Sequence, residues 1–341
     1  MSLRVGVIGA GIMGADHVRT LHHSVSGACV QAVADVELAR AEHALASIDG
    51  GAGGWAGSDP IALIADPRID AVVIASSDAT HPEFIAAAVK AGKPVLSEKP
   101  LAPTLAEALA LQQEVGADAD LVSLGFMRRF DPGYTQLKTA IESQAVGRPL
   151  MLHCVSRGVS SAPGTSTETA VTNSLVHELD VVPWLLDSPV VQVSWHGPSA
   201  PAVDEDGLRD PQLVLLRTAD GVLTSCATFL NARYGYDIRC EVVGESGAVS
   251  LTEPIRVVTD RAGGRGQEYA ADWRPRFADA YRLQLQAWVD GLKTGANPME
   301  PSRVLARLTD GARAAAVAEA VIDSLHHEGR PTDVKLLEDI R

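Results

Sequence analysis

The feature that most constrains this chain is a run of six residues, Leu3–Ile8 (LRVGVI), that leads directly into Gly9-Ala10-Gly11-Ile12-Met13-Gly14. An apolar run of that length reads as a strand buried on both faces. GxGxxG is a weak pattern alone, but between a buried strand and a helix each glycine has a mechanical job. Gly9 permits a tight turn, Gly11 lets the backbone approach a pyrophosphate, and Gly14 lets the helix pack close to the strand. That helix, expected over 12–25 with Ile12 and Met13 in its first turn, presents N–H groups and partial positive charge to phosphates. Asp35 closes the next expected strand, 21 residues after Gly14. A carboxylate there can accept hydrogen bonds from ribose hydroxyls; taken alone, Asp35 is also an ordinary turn residue. Strand, glycine loop and acid together specify a dinucleotide site. Asp35, Glu37 and the lack of Lys or Arg over 35–39 favour NAD over a cofactor bearing a 2′-phosphate.

The following residues keep the same rhythm. Strands are expected at 29–34, 71–75, 94–97 and 121–125. Helices are expected at 38–47, 61–65, 82–91 and 105–115, with a glycine-rich connection over 50–57. Repeated strand–helix–strand units imply a doubly wound parallel (Rossmann) sheet with right-handed crossovers. After about residue 148 the pattern changes. Strands expected at 151–157, 190–196, 212–218, 222–230, 236–243 and 248–252 are mostly joined by short polar turns such as Thr218-Ala219-Asp220-Gly221. That pattern indicates a mainly antiparallel sheet. Helices are expected at 174–186, 276–294 and 302–326, and Pro183 should kink or shorten the first of them. At 341 residues the chain is long for one core. We expect an NAD-binding Rossmann domain over 1–122. The remainder, 123–341, should be an α+β domain on a mainly antiparallel open sheet, serving substrate binding and oligomerisation.

A formal net charge of −14 repels phosphate backbones, so nucleic acid is not an expected partner. No apolar stretch approaches the roughly 20 residues that cross a bilayer, so a membrane is not expected either. The opening MSLRVGVIGAG runs straight into a strand, and no signal or transit peptide is expected. Cys29, Cys154, Cys226 and Cys240 form no CxxC pair and read as reduced thiols in a cytoplasmic protein. His22–His23 and His326–His327 lack neighbouring ligands at metal spacing, so no metal is expected.

Glu98-Lys99-Pro100 follows the strand expected at 94–97. Ligands bind at the carboxyl ends of parallel strands, so a lysine there can reach a nicotinamide; by position alone, a surface lysine in a turn is an equal reading. The GxGxxG opening, Asp35, Thr80-His81 and Glu98-Lys99-Pro100 together resemble the glucose–fructose oxidoreductase/inositol dehydrogenase family, over essentially the whole chain. Several segments look most like its bacterial inositol 2-dehydrogenase branch. They are Gly125-Phe126-Met127-Arg128-Arg129-Phe130-Asp131, Val176-His177-Glu178-Leu179-Asp180, Asp210-Pro211-Gln212-Leu213, Tyr234-Gly235-Tyr236-Asp237-Ile238 and Cys240-Glu241-Val242-Val243-Gly244-Glu245.

The resemblance implies hydride transfer between NAD and a cyclic polyol, myo-inositol or a related inositol, giving a ketone. It implies Lys99 and His177 as catalytic residues, with Asn173 where similar enzymes usually carry aspartate. Met127, Arg128, Arg157 and Tyr236 would join these three around the substrate. Ser76, Thr80, His81 and Glu98 would lie by the cofactor. A cis Lys99–Pro100 bond and a homotetramer are further implications, and an open sheet face needs a partner. The residue types suit the chemistry. A base of near-neutral pKa, His177, suits removal of a hydroxyl proton, and the Lys99 ammonium can stabilise a developing alkoxide. Asn173 lies four residues before His177 and can share its helix face; it is also a preferred cap for the helix expected at 174. Ser156-Arg157-Gly158-Val159 stands where the similar enzymes resemble HRNP. That keeps a sugar (pyranoside) dehydrogenase open. A non-catalytic NAD-binding regulator, favoured only by Asn173, is the other alternative.

Overall fold

The computed structural model describes residues 2–48, 53–199, 207–252, 257–294 and 305–337. It divides into two compact units, Met1–Phe130 with Asp279–Ala315, and Asp131–Ala278 with Ala316–Arg341. This is not the contiguous division 1–122 and 123–341. The chain returns to the first unit because Leu285, Trp288, Val289 and Leu305 are buried there, in one cluster with Val5, Val18, Leu21 and Val33. Burying a large aromatic such as Trp288 outweighs the cost of a long connection, which grows only slowly with loop length.

In the first unit, β1 (Leu3–Ile8), α1 (Ile12–Ser24), β2 (Ala28–Ala34), α2 (Leu38–Ala46), β3 (Trp55–Gly57), α3 (Pro60–Ala65), β4 (Ala71–Ile74), α4 (His81–Lys90), β5 (Val95–Ser97), α5 (Leu105–Val115) and β6 (Val122–Leu124) alternate as expected. The order β3-β2-β1-β4-β5-β6 is all parallel and reverses direction between β1 and β4. Local chemistry sets the helix starts. Asp59 caps α3 by accepting from the Ala62 N–H, and Thr104 with Glu107 forms a capping box on α5. β3 lies within the connection expected over 50–57; residues 50–52 of that expectation are outside the described residues.

The second unit opens on a helix the sequence reading did not anticipate, α6 (Pro132–Glu142), although its start is written in Asp131-Pro132. The Asp131 carboxylate accepts from the Gly133 and Tyr134 N–H groups, and proline suits the first helical turn. β7 (Pro149–Arg157) follows. α7 (Thr167–Ala170), a π turn (Val171–Leu175) and α8 (Val176–Leu186) form one helical run. The run therefore starts before the expected residue 174. Ser166 is its cap, and Asn173 sits inside it. Pro183 does not cut it short; it ends at Asp187, whose φ is 48°.

Next come β8 (Val190–His196), β9 (Gln212–Thr218), β10 (Leu223–Phe229), β11 (Asp237–Gly244) and β12 (Ala248–Leu251), then a hairpin of β13 (Thr259–Arg261) and β14 (Gly264–Gly266). α9 (Trp273–Thr294) follows, with non-helical backbone at Phe277. β15 (Ala306–Arg307) pairs antiparallel with β6, α10 (Leu308–His326) follows, and β16 (Thr332–Asp333) pairs with β8. Residues 306–307 are thus strand where helix was expected; residues 302–304 lie outside the described residues. The Asp310 carboxylate accepts from the Arg307 N–H, which turns the chain from strand into helix.

The second sheet has the order β12-β11-β7-β10-β9-β8-β16. β7 and β10 run parallel and the other neighbours antiparallel. One face is buried through Leu152, Cys154, Val214, Leu216, Cys226, Cys240 and Val242. The π turn Val171–Leu175 packs against β10 and α6 packs against β12, which sets helical segments against this sheet. The opposite face leaves Met151, Leu213, Leu215 and Leu223 more than a third exposed.

Candidate active site

At the carboxyl edge of the first sheet, each strand's exit is tied to its neighbour. The Gly9 N–H donates to the Ala34 carbonyl, Asp35 to Gly57, Ala75 to Ile8, Glu98 to Ile74 and Gly125 to Ser97, at 2.7–3.1 Å. These bonds bring the glycine loop, Asp35, Ser76, Glu98, Lys99 and the segment after Gly125 onto one edge, the position where open parallel sheets bind ligands.

Two of the loop glycines are required by the fold. A Cβ on Gly9, whose φ is +89°, would lie 2.4 Å from the Ala75 carbonyl oxygen, and one on Gly14 would lie 1.9 Å from the Gly9 carbonyl oxygen. Gly11 differs, because a Cβ there would meet nothing within 4 Å. Its bareness leaves space above the helix start, and α1 begins at Gly11 with no side-chain cap. The Asp35 carboxylate accepts from the Ala10 N–H at 2.7 Å and the Glu37 N–H at 2.9 Å, so it also fastens the loop. Ile12, in the first turn of α1, and Val36, next to Asp35 in the chain, are 68% and 81% exposed. Open space over Gly11, an uncapped helix start and a carboxylate at the end of β2 fit a dinucleotide.

After β4, Thr80 Oγ1 donates to the Ser77 carbonyl at 2.7 Å, so the Ser76 hydroxyl, 2.7 Å away, is the donor to Thr80. His81 is buried. Its Nδ1 is 2.8 Å from the Pro100 carbonyl oxygen and its Nε2 is 3.3 Å from that of Ser76. It anchors the turn that carries Lys99. The Lys99–Pro100 bond is cis, as the resemblance implied.

Lys99 is half-buried. Burial pushes its ammonium down, Arg128 adds to that, and Glu98 and Asp78 oppose it; the balance lies below the ordinary lysine value. Glu98 is buried, with Oε1 2.8 Å from Nε2 of His17 and Oε2 accepting from the Lys99 N–H at 3.3 Å. Burial pushes the Glu98 carboxyl up, but the His17 hydrogen bond and charge, with Lys99, hold it below the usual carboxylate range. Met127 and Arg128 are both buried, in the turn after β6.

In the second unit, Asn173 is exposed and His177 half-buried, on one helical run and with the π turn just before His177. π turns recur at functional sites because they re-aim side chains. Tyr236 is half-buried. Its N–H donates to the Ala270 carbonyl at 2.9 Å, and its ring meets that of Phe277 edge-on. Arg157 lies elsewhere. It alternates with the buried Cys154 and pairs with Phe229 on the open face, its guanidinium donating to the Tyr234 hydroxyl at 3.2 Å. The structure therefore does not bring Arg157 to the helix-covered face. The sequence reading missed His17. Its signal was a histidine in the buried stripe Gly14, His17, Val18 and Leu21 of α1. Among the described residues, no three His, Cys, Asp or Glu side chains are arranged to hold a metal ion.

The family model described as an oxidoreductase family with an NAD-binding Rossmann fold (GFO_IDH_MocA) matches residues 3–126, and the GFO/IDH/MocA C-terminal domain matches residues 134–250. The chain is 50% identical to Inositol 2-dehydrogenase 2 of Paenarthrobacter aurescens (strain TC1), covering 98% of this chain and 99% of that protein. It is 45% identical to Inositol 2-dehydrogenase 1 of Saccharopolyspora erythraea, covering 99% and 98%. The crystal structure of myo-inositol dehydrogenase from Lactobacillus casei in complex with NAD(H) and myo-inositol superposes with a TM-score of 0.91 at 30% identity, covering 98% of each chain.

Proposed function

Since the chain belongs to the Gfo/Idh/MocA family of NAD-binding oxidoreductases, we propose that it oxidises a secondary hydroxyl of a cyclic polyol, most directly myo-inositol, to the ketone. The observation that carries the substrate class is half-identity over nearly the whole length to an inositol 2-dehydrogenase. NAD, when bound, supplies the hydride acceptor.

The chain's own residues do the rest. Gly9, Gly11, Ile12, Met13 and Gly14 shape the phosphate cradle, and Asp35 takes the ribose hydroxyls and repels a 2′-phosphate. Ser76 and Thr80 would line the cofactor site, with the buried His81 and Glu98 fixing the turns behind it. His177 removes the hydroxyl proton. Lys99, as an ammonium, holds the substrate oxygen and stabilises the alkoxide as its carbon gives up hydride. Asn173 hydrogen-bonds the substrate or the imidazole, and Met127, Arg128 and Tyr236 shape the polyol pocket. Arg157 belongs to that set only through its hydrogen bond to Tyr234, near Tyr236 in the chain.

The domain roles follow the same reading, with NAD on the Rossmann part and substrate on the α+β part. The open sheet face suits a homotetramer. Leu223 pairs with Met151, and Leu213 with Ala227, so these side chains share one apolar surface. Cys154 and Cys240 stand as thiols 3.8 Å apart on adjacent strands, which suits a reducing, cytoplasmic compartment.

The test is the appearance of reduced nicotinamide with NAD or NADP across myo-inositol, scyllo-inositol and several pyranosides. We expect myo-inositol with NAD to give the highest kcat/KM, at least tenfold over NADP, about 1.4 kcal/mol of discrimination. A pyranoside as best substrate moves the enzyme to the sugar dehydrogenases. No turnover with any of them overturns the reading.

A further inference from the structure

The Glu98 carboxylate is engaged inside the first unit. His17 comes from the buried stripe of α1, Glu98 from the end of β5, and the two meet at 2.8 Å with both side chains nearly inaccessible to water. The second carboxylate oxygen accepts from the backbone of Lys99 itself. The fit is built from both sides. A Cβ on Gly125 would lie 2.9 Å from the Glu98 carboxyl carbon, so glycine there makes the room. Tyr281 closes the other side, its ring edge-on to His17 at 5.8 Å. A buried carboxylate is stable only with partners for its oxygens, and here each has one.

We propose that His17 is a positioning residue for Lys99, acting through the carboxylate of Glu98, and that the pair keeps the lysine an ammonium at the working pH. The inference rests on the functional reading only in taking Lys99 as the group that holds the substrate oxygen. Burial disfavours the charged lysine, and Arg128 repels it. Glu98 and Asp78 are the negative groups that act on it, and Glu98 is its chain neighbour. Glu98 can serve only while ionised, and burial favours its neutral form unless His17 donates to it. His17 therefore touches neither substrate nor cofactor in this role; it holds a charge in place one residue from the lysine.

The test reads Lys99 in two ways on the full chain. One is the pH dependence of its acetylation by acetic anhydride, followed by mass spectrometry without substrate, since only the neutral amine reacts. The other is the basic limb of kcat for myo-inositol oxidation with saturating NAD. In the wild type, Lys99 should react with a midpoint above pH 7, and a midpoint at or below pH 7 overturns the proposal without any variant. Glu98→Gln keeps the shape and removes the charge; both the labelling midpoint and the basic limb should move to lower pH by about one unit. His17→Leu should move them in the same direction, because the unassisted carboxyl takes up a proton. His17→Gln, whose amide still donates, should restore the wild-type positions, which a packing role would not predict. Curves that stay in place in folded Glu98→Gln or folded His17→Leu overturn the proposal, and either variant alone decides it. If the wild type does not turn over inositols, the labelling curves still read the pair, so loss of the functional reading and loss of this one are distinct results.

Discussion

Lys99, the residue proposed to hold the substrate oxygen, is held against its own solvation. Its folded pKa lies below the unfolded one, so it contributes stability only above the ordinary lysine value, and that contribution is lost as pH falls through the folded value. At neutral pH the charged lysine is a net cost to the fold. Lys99→Met should therefore lower kcat about 100-fold or more, the scale of one preorganised charge, while the melting temperature at pH 7 stays at or above wild type. A lower melting temperature would make Lys99 structural. Asn173 carries a second prediction. It lies inside the helical run, seven residues after the Ser166 cap, so it is not the residue that caps that run. Asn173→Asp places a carboxylate on the run that carries His177, which favours the imidazolium. The acidic limb of kcat/KM should move to higher pH, and an unchanged limb would detach Asn173 from the histidine. Asp35 could be proposed from its type and spacing, and Lys99 and His177 from the motifs that carry the resemblance. His17 could not, because only packing turns a helical histidine into the partner of a carboxylate 81 residues away.

At the scale of elements, the glycine loop separates what the fold needs from what a ligand needs. Gly14→Ala drives a methyl group into the Gly9 carbonyl and should cost about 3 kcal/mol or more, seen as a large drop in melting temperature without cofactor. Gly11→Ala meets nothing, so the protein should melt like wild type while NAD binding weakens about tenfold, or ~1.4 kcal/mol. Equal stability losses in the two variants would refute this division. The long apolar strands and their alternation with helices were readable from periodicity. β3 and β15, three and two residues long, were not, because a pattern needs more positions to repeat. The start of the helix at 132–142 was legible in its cap, Asp131-Pro132.

At the scale of the whole molecule, the second sheet has one buried face and one that, among the described residues, leaves Met151, Leu213, Leu215 and Leu223 more than a third exposed. Leu215 is 42% exposed on that face, opposite Ser225 of β10. A charge there is compatible with the folded chain and incompatible with a dry interface. Sedimentation should show the wild type as a tetramer and Leu215→Glu as a smaller species with its melting transition retained at reduced temperature. A monomeric wild type would refute the assembly.

What the sequence determined by itself was everything written in local order. That includes the strand, glycine loop and helix of a dinucleotide site, the acid that ends β2, the lysine turn after β5 and the class of each sheet. These follow from backbone sterics and side-chain period, which act between near neighbours. The tertiary structure decided the rest. It returned residues 279–315 to the first unit, started the helix of His177 at Thr167, put Arg157 on the open face and set His17 against Glu98. Each of these is a choice of what to bury against what, and burial depends on the surfaces that distant segments present, which no local pattern records.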